Sequence, residues 1–280
     1  MTRSTALITG TASGIGAEVA RRFAKRGFKI IAVDRTPELA ERTAADIGGP
    51  VTAVGCDLAE EQSTRELCER ITGEWRDDLD VLVCNAGVVI PGDVADLSAE
   101  EIDLHLAVLL RSPMQLIRAA LGVFIGRNTG HIMATVSMGG ICPLPASAPY
   151  SAAKAGLRAF LAALNSEVAH TNVAISGIYP TAVNTPMLQH EARSGGSALN
   201  FLSAVKSVDD VADAYERALD KPKLELYVPY HESLSARAAL WTPSLIPRLI
   251  PFFNRIGERG RKKYLAQLDS VTPGIADDDR

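Results

Sequence analysis

Seven short runs of this 280-residue chain are apolar almost from end to end: Ala6–Thr9, Lys29–Val33, Thr52–Gly55, Val81–Cys84, His131–Val136, Ala174–Ile178 and Leu224–Val228. A strand with one wet face alternates apolar and polar side chains. A uniformly apolar strand needs cover on both faces, which a parallel sheet between two helical layers supplies. The segments between the runs have helical period. Ile15, Val19 and Phe23 recur at that spacing, and Gly27 follows as a stop. Ser98-Ala99-Glu100-Glu101 and Ser207-Val208-Asp209-Asp210 have the form of capping boxes, the second with Asp in the Glu position. Pro113 falls inside the helical run after Ser98 and is expected to kink or divide it. Strict alternation of strand and helix predicts an α/β chain built on one doubly wound parallel sheet.

With 47% hydrophobic residues the chain can fill one large core. The expected organisation is a single domain over residues 1–230, with a mobile lid at 186–205, and a C-terminal extension at 231–280. The formal net charge of −4 gives no reason to expect nucleic acid. Cys56, Cys68, Cys84 and Cys142 are scattered without a CxxC pair, so reduced thiols are expected and no metal site is. The chain enters a strand within a few residues of Met1 and has no uninterrupted apolar run of membrane-spanning length. The expectation is a cytoplasmic protein without a signal peptide.

The turn after the first run reads Thr9-Gly10-Thr11-Ala12-Ser13-Gly14-Ile15-Gly16. Gly10 allows the tight turn, Gly14 lets backbone approach a pyrophosphate, and Gly16 lets helix and strand close on each other. The helix that begins at this turn presents free N–H groups, those of Gly14 and Ile15 included, to the phosphates. An acid, Asp34, closes the second run and is followed by Arg35. A carboxylate there accepts both ribose hydroxyls and repels a 2′-phosphate. Ser13 stands where a basic residue would welcome that phosphate. Both features point to NAD rather than NADP as the cofactor of a Rossmann fold, with Arg35 read as a solvated loop charge.

Tyr150-Ser151-Ala152-Ala153-Lys154 places a phenol and an ammonium one helical turn apart. A nearby cation favours the phenolate and should bring the Tyr150 pKa down towards neutrality. Ser137, thirteen residues upstream, ends the fifth apolar run and is the candidate hydrogen-bond donor to a substrate oxygen.

With these residues in place the chain resembles the short-chain dehydrogenase/reductase family over Thr5 to about Pro229. Cys84-Asn85-Ala86-Gly87 is similar to the family's Asn-Asn-Ala-Gly motif, and Tyr179-Pro180-Thr181-Ala182-Val183-Asn184-Thr185 to its Pro-Gly…Thr segment, with Thr181 in place of the Gly. The resemblance implies that Asn85 braces the sheet and, with Ala86 and Gly87, borders the adenosine pocket. It implies that Asp57, followed by Leu58, binds the adenine amine. Pro180, the Val183 backbone and the Thr185 hydroxyl would hold the nicotinamide end. Ser137, Tyr150 and Lys154 would be the catalytic group, with Tyr150 moving the alcohol proton and Lys154 binding the nicotinamide ribose. The family's further catalytic Asn aligns with Leu109, which cannot hold a relay water. His105, one turn away, is the only nearby substitute, and a packing role suits it better. By the same resemblance the protein is expected to be a homodimer or homotetramer. A dinucleotide-binding sensor without turnover, and an NADPH-linked reductase of acyl thioesters, are the competing readings.

The stretch Met138–Ala146 is apolar, and Met187, Leu188, Leu199, Phe201 and Leu202 give the lid an apolar character. A hydrophobic secondary alcohol or ketone of steroid, retinoid or lipid type is the expected substrate. Arg193 is the lid's basic residue, with His190 near it, and is expected to be solvated. Residues 231–264 carry seven Arg or Lys against Glu232 and Glu258, a net of +5. Leu240, Trp241, Leu245, Ile246, Leu249, Ile250, Phe252 and Phe253 accompany them. Pro243, Pro247 and Pro251 recur every four residues and are expected to prevent one continuous helix. The segment is expected to pack on its own protein, with peripheral contact to an anionic membrane as the alternative. Asp277-Asp278-Asp279-Arg280 reads as a disordered end.

Overall fold

A computed structural model describes residues 4–47, 49–239, 241, 244 and 246–271. The seven apolar runs become seven parallel strands: β1 (Thr5–Thr9), β2 (Lys29–Asp34), β3 (Val51–Gly55), β4 (Leu79–Cys84), β5 (Gly130–Thr135), β6 (Val173–Pro180) and β7 (Glu225–Val228). Their order in the sheet is β3-β2-β1-β4-β5-β6-β7. Alternate residues of one strand enter two separate cores, which is why the runs are apolar throughout. Leu7, Ile31 and Val33 pack on one side of the sheet and Ala6, Ile8, Ile30 and Ala32 on the other.

The first core is closed by α3 (Glu61–Thr72), α5 (Ser112–Arg127) and α6 (Ala148–Glu167), through Leu67 and Ile71, Leu116 and Ile117, and Leu157 and Leu161. The second is closed by α1 (Gly14–Lys25) and α8 (Val208–Asp220), through Val19 and Phe23 against Val211 and Tyr215. Arg22 ties α1 to α8 by pairing with Asp209, Asp213 and Glu216. Helix α2 (Pro37–Ile47) follows β2, and α4 (Ala99–Leu106) precedes α5. Both expected capping boxes form, Ser98 with Glu101 and Ser207 with Asp210.

Pro113 neither breaks nor sharply divides its run. A π-helical turn over Ala107–Arg111 joins α4 to α5, and Pro113 sits in the first turn of α5. A proline has no N–H to return to the carbonyl four residues back, and a widened turn just before it absorbs that missing bond. The combined stretch Ala99–Arg127 is long and apolar enough to cross a membrane, but more than half of its apolar window is buried inside the protein, as in a core helix.

After β6 come α7 (Pro186–Arg193), a 3-10 turn (Ala198–Phe201) and, past β7, α9 (Tyr230–Ala239) and α10 (Ile246–Val271). The expected break in the tail is corrected at two of its three prolines: α10 runs through both Pro247 and Pro251. Pro247 stands in the first turn, where no intrahelical N–H is needed. Pro251 forfeits only the bond to that same first turn, and the long body beyond it is held by tertiary contact. Pro243, Leu240, Leu245 and the acidic end 277–280 lie outside the described residues.

Candidate active site

One cleft of about 650 Å³ opens at the carboxyl ends of the strands, where the order reverses between β1 and β4. At its nucleotide end the glycine turn is shaped by contact. Gly10 has φ +73°, and a Cβ there would stand 2.7 Å from Ala86 Cα. Gly14 has φ +59°, and its missing Cβ would meet Thr185 Cγ2 at 3.1 Å. Gly16 does not line the cleft. It lies beneath the turn, where a Cβ would be 2.0 Å from the Gly10 carbonyl and 2.5 Å from Asn85 Nδ2. Ser13, the N-cap of α1, makes no side-chain cap bond, so the first-turn amides of Gly14, Ile15 and Gly16 have no side-chain acceptor there.

Asp34 faces this turn. Its carboxylate accepts from the Ala12 N–H at 2.8 Å and from the Arg35 N–H at 2.8 Å. Arg35 is exposed and borders the same end of the cleft. Arg42, from α2, borders it as well. Sequence reasoning missed Arg42, since only the packing of α2 against β2 and β3 carries it there. Asp57 accepts from the Ala59 N–H at 2.9 Å, and Asp57, Leu58, Ala86 and Gly87 line the cleft.

Asn85 is the brace of the sheet. Its Nδ2 donates to the carbonyls of Thr9 and Gly10 at 3.1 and 3.2 Å, and its Oδ1 accepts from Thr135 Oγ1 at 2.8 Å. The Tyr215 hydroxyl lies 2.6 Å from that same Thr135 oxygen. The three strands β1, β4 and β5 are thereby tied together at their carboxyl ends. At the far end Pro180, Val183 and Thr185 line the wall. Thr185 caps α7 by accepting from the Leu188 N–H at 3.3 Å. Thr181, where the family pattern has Gly, is held by its N–H and hydroxyl to the Val228 carbonyl at 2.9 and 3.3 Å.

Ser137, Tyr150 and Lys154 meet in the middle of this cleft. Ser137 has φ +136° and ψ 152°, a conformation that side chains rarely hold and that costs on the order of 1–3 kcal/mol. Its Oγ accepts from the Gly139 N–H at 3.0 Å, and its hydroxyl lies near enough to the Tyr150 phenol to favour the ionised form. Lys154 is 4% exposed, donates to the Thr135 carbonyl at 2.7 Å, and lies 5.9 Å from the Tyr150 ring centre.

The expected tuning of the phenol by this ammonium is corrected. Burial pushes Tyr150 up to about 12; the neighbouring Ser137 hydroxyl opposes the rise and the charge of Glu191 adds to it. Burial pushes Lys154 down to about 8, with Cys84 acting the other way. The ammonium is turned towards Thr135 rather than the phenol, so desolvation outweighs attraction at both groups.

Leu109 lies in the π-turn, fully buried, 3.5 Å from where a Cβ on Gly87 would stand. His105 does not replace the missing amide. Its Nε2 accepts from the Ile90 N–H at 3.1 Å and its Nδ1 lies 2.7 Å from the Glu101 carbonyl, so both nitrogens are spent on backbone.

The segment expected to be a mobile lid is built of α7 and the 3-10 turn, and α10 packs on both. Phe201 stacks on Tyr264 with ring centres 5.4 Å apart, and the Tyr264 hydroxyl donates to Asn184 Oδ1 at 2.7 Å. Phe201 therefore faces the tail and not the cleft. Of the five apolar lid residues only Met187 and Leu188 line the cleft, joined by Leu144 from the stretch before Tyr150. Arg193 is exposed and pairs with Asp269. Two polar residues that sequence reasoning passed over, Glu191 and Asn200, complete the wall. Glu191 is 7% exposed, and burial pushes its carboxyl up to about 7 against the opposing effects of the Ser197 backbone and Asn200. Its position one turn after Met187 was the only available signal.

A family model described as short chain dehydrogenase matches residues 4–195. A dehydrogenase/reductase SDR family protein 7-like from Drosophila melanogaster is 31% identical over 277 residues, covering 95% of this chain and 83% of its own. A short-chain dehydrogenase from Sphingobium yanoikuyae, solved in complex with NADPH, is 26% identical with a TM-score of 0.73 over 99% of both chains. The bulky-bulky ketone specific alcohol dehydrogenase from Comamonas testosteroni is 26% identical with a TM-score of 0.71, over 86% of this chain and 95% of its own.

Proposed function

Since this chain belongs to the short-chain dehydrogenase/reductase family, we propose that it is an NAD(H)-linked oxidoreductase that interconverts a bulky, largely apolar secondary alcohol and its ketone. The observation that carries this reading is the meeting of Ser137, Tyr150 and Lys154 in the cleft that the glycine turn and Asp34 also border. The residues present fit a nicotinamide dinucleotide. The turn at Gly10 and Gly14 is a cradle that any Cβ would fill, the α1 amides are free for phosphate, and Asp34 is fixed towards the turn. When bound, that cofactor supplies the hydride acceptor or donor.

The chain's own residues do the rest. Ser137 holds the substrate oxygen and steadies charge that develops on it. Tyr150 takes the hydroxyl proton in oxidation and returns one to the carbonyl oxygen in reduction. Lys154, held by the Thr135 carbonyl, orients the ribose. Leu144, Met187 and Leu188 exclude water around the reacting carbon. The bulky ketone preference named for the Comamonas testosteroni relative supports a bulky ketone or alcohol as substrate.

A second reading, NADP(H) in place of NAD(H), is favoured by Arg35 and Arg42 at the adenosine end and by the NADPH complex of the Sphingobium yanoikuyae relative. Asp34 argues for NAD, since its charge would face a 2′-phosphate. We further propose a cytoplasmic homodimer or homotetramer whose tail packs on its own protein through α10, as its contacts with the lid support, with peripheral membrane contact as the alternative role of the tail. A panel of apolar alcohols and ketones, run with each cofactor and followed at the nicotinamide absorbance, tests the proposal. The Tyr150→Phe variant should bind cofactor with affinity close to wild type and lose turnover about 100-fold or more. Full activity in that variant, or tight cofactor binding with no turnover of any member by wild type, would leave a nucleotide sensor as the better account.

A further inference from the structure

Glu191 is an ionisable side chain of the cleft for which the reaction above has no use. Glu191 lies on the cleft-facing side of α7, one turn after Met187. It is 7% exposed, and no Lys, Arg or His pairs with it among the described residues. A lone carboxyl in such a place is costly, and an apolar residue would be cheaper if the substrate were apolar throughout.

The surrounding chain is nevertheless shaped to hold it. Asn200 Nδ2 donates to Oε1 at 2.8 Å, and the nearby Ser197 backbone also favours the ionised carboxylate. Gly196 leaves the room it needs, since a Cβ there would stand 2.0 Å from Glu191 Cγ. One donor uses only part of a carboxylate's acceptor capacity, which amounts to about four sites. The carboxyl borders the same cleft as Tyr150, whose phenol feels the Glu191 charge.

From this geometry we infer that Glu191 is a specificity-determining anchor, accepting a hydrogen bond from a donor group carried by an otherwise apolar substrate away from its reacting carbon. This rests on the oxidoreductase reading and narrows its substrate class to hydroxy- or ammonio-substituted apolar alcohols and ketones. The shared chemistry is a hydrogen-bond donor. A hydroxyl gains one charge-assisted bond, and an ammonium gains that bond together with an opposite charge.

The test uses three bulky ketones of one carbon skeleton, bearing at the remote end a methyl, a hydroxyl or an ammonium group. Each is measured against wild type and Glu191→Gln, which keeps an acceptor for Asn200. The readout is the ratio of kcat/KM for each donor-bearing ketone to that for the methyl ketone. Wild type should favour at least one donor-bearing ketone by roughly tenfold or more, and the ratio should fall towards one in the variant. Loss confined to the ammonium arm identifies a charge partner; loss in both arms identifies a neutral donor as sufficient. A carboxyl that only clamps the lid would lower all three values together and leave the ratios unchanged, and that result would overturn the inference. Binding of the same three compounds to the cofactor-loaded protein, followed by ligand-observed NMR, separates the two proposals. Preferential binding that Glu191→Gln abolishes upholds the anchor even where nothing turns over. Equal binding of the three to wild type removes it.

Discussion

His131 links a single side chain to the stability of the whole sheet. It is buried on β5 with its Nε2 2.9 Å from Ser176 Oγ on β6, and burial pushes its pKa down to about 4. The unfolded chain takes up this proton near pH 6.5, whereas the folded protein resists it until about pH 4. The unfolded state therefore binds more protons across that window, and stability should fall as pH falls through it, by at most roughly 3 kcal/mol. Glu191, with its pKa raised to about 7, acts in the opposite sense between its unfolded value and pH 7. Comparing wild type with His131→Gln removes that contribution, because both proteins share it. Urea melts at several pH values should show a smaller acid-side loss in His131→Gln; parallel curves would mean that His131 is already charged in the folded state. At this scale the sequence exposed the candidate chemistry and concealed its environment. Ser137, Tyr150 and Lys154 were legible from type and spacing. Their pKa directions were not, because desolvation depends on neighbours distant in sequence, such as Thr135 and Glu191.

Among the elements, α10 shows most clearly what local pattern leaves out. Gly257 and Gly260 lie one turn apart, and Cβ atoms on them would stand 2.0 Å from the Ala198 carbonyl and 2.1 Å from the Phe201 carbonyl. The helix rests directly on the backbone of the lid's 3-10 turn. Its prolines suggested a broken segment; its glycines permit this contact, and the contact explains why the helix persists. Gly257→Val should lift α10 from the lid. Overpacking of about 1–3 kcal/mol implies a fall in Tm of roughly 3–10 °C. The KM for substrate should rise several-fold while cofactor affinity stays near wild type. A thermal melt with steady-state kinetics checks this, and an unchanged KM would show that the tail does not support the substrate wall. The strands and the capping boxes were readable in advance because each answers to a local rule. The π-turn before Pro113 was not, since α-helix and π-turn present the same sequence pattern.

At the scale of the molecule, α9, α10 and Trp241 expose large apolar side chains. Trp241 is 89% exposed, Phe252 62% and Leu234 52%, among the basic residues Arg237, Arg248 and Arg255. Aromatic side chains amid positive charge suit the headgroup region of an anionic bilayer. Wild type should sediment with vesicles rich in anionic lipid, less so as salt is raised. The Trp241→Ser/Phe252→Ser double variant should remain in the supernatant with an unchanged melting temperature. Equal sedimentation of both proteins at every salt concentration would assign this surface to something other than lipid.

Sequence alone determined the strand-helix alternation, the glycine turn, the acid that follows β2 and the Ser-Tyr-Lys set, since each depends on spacing along a single stretch of chain. Folding decided what those stretches face: that Lys154 is held by Thr135, that Phe201 turns to Tyr264, and that Glu191 and Arg42 reach the cleft. Period and propensity act over a few residues. Burial, close approach and electrostatic environment arise between segments far apart in the chain, and they exist only once the sheet has brought those segments together.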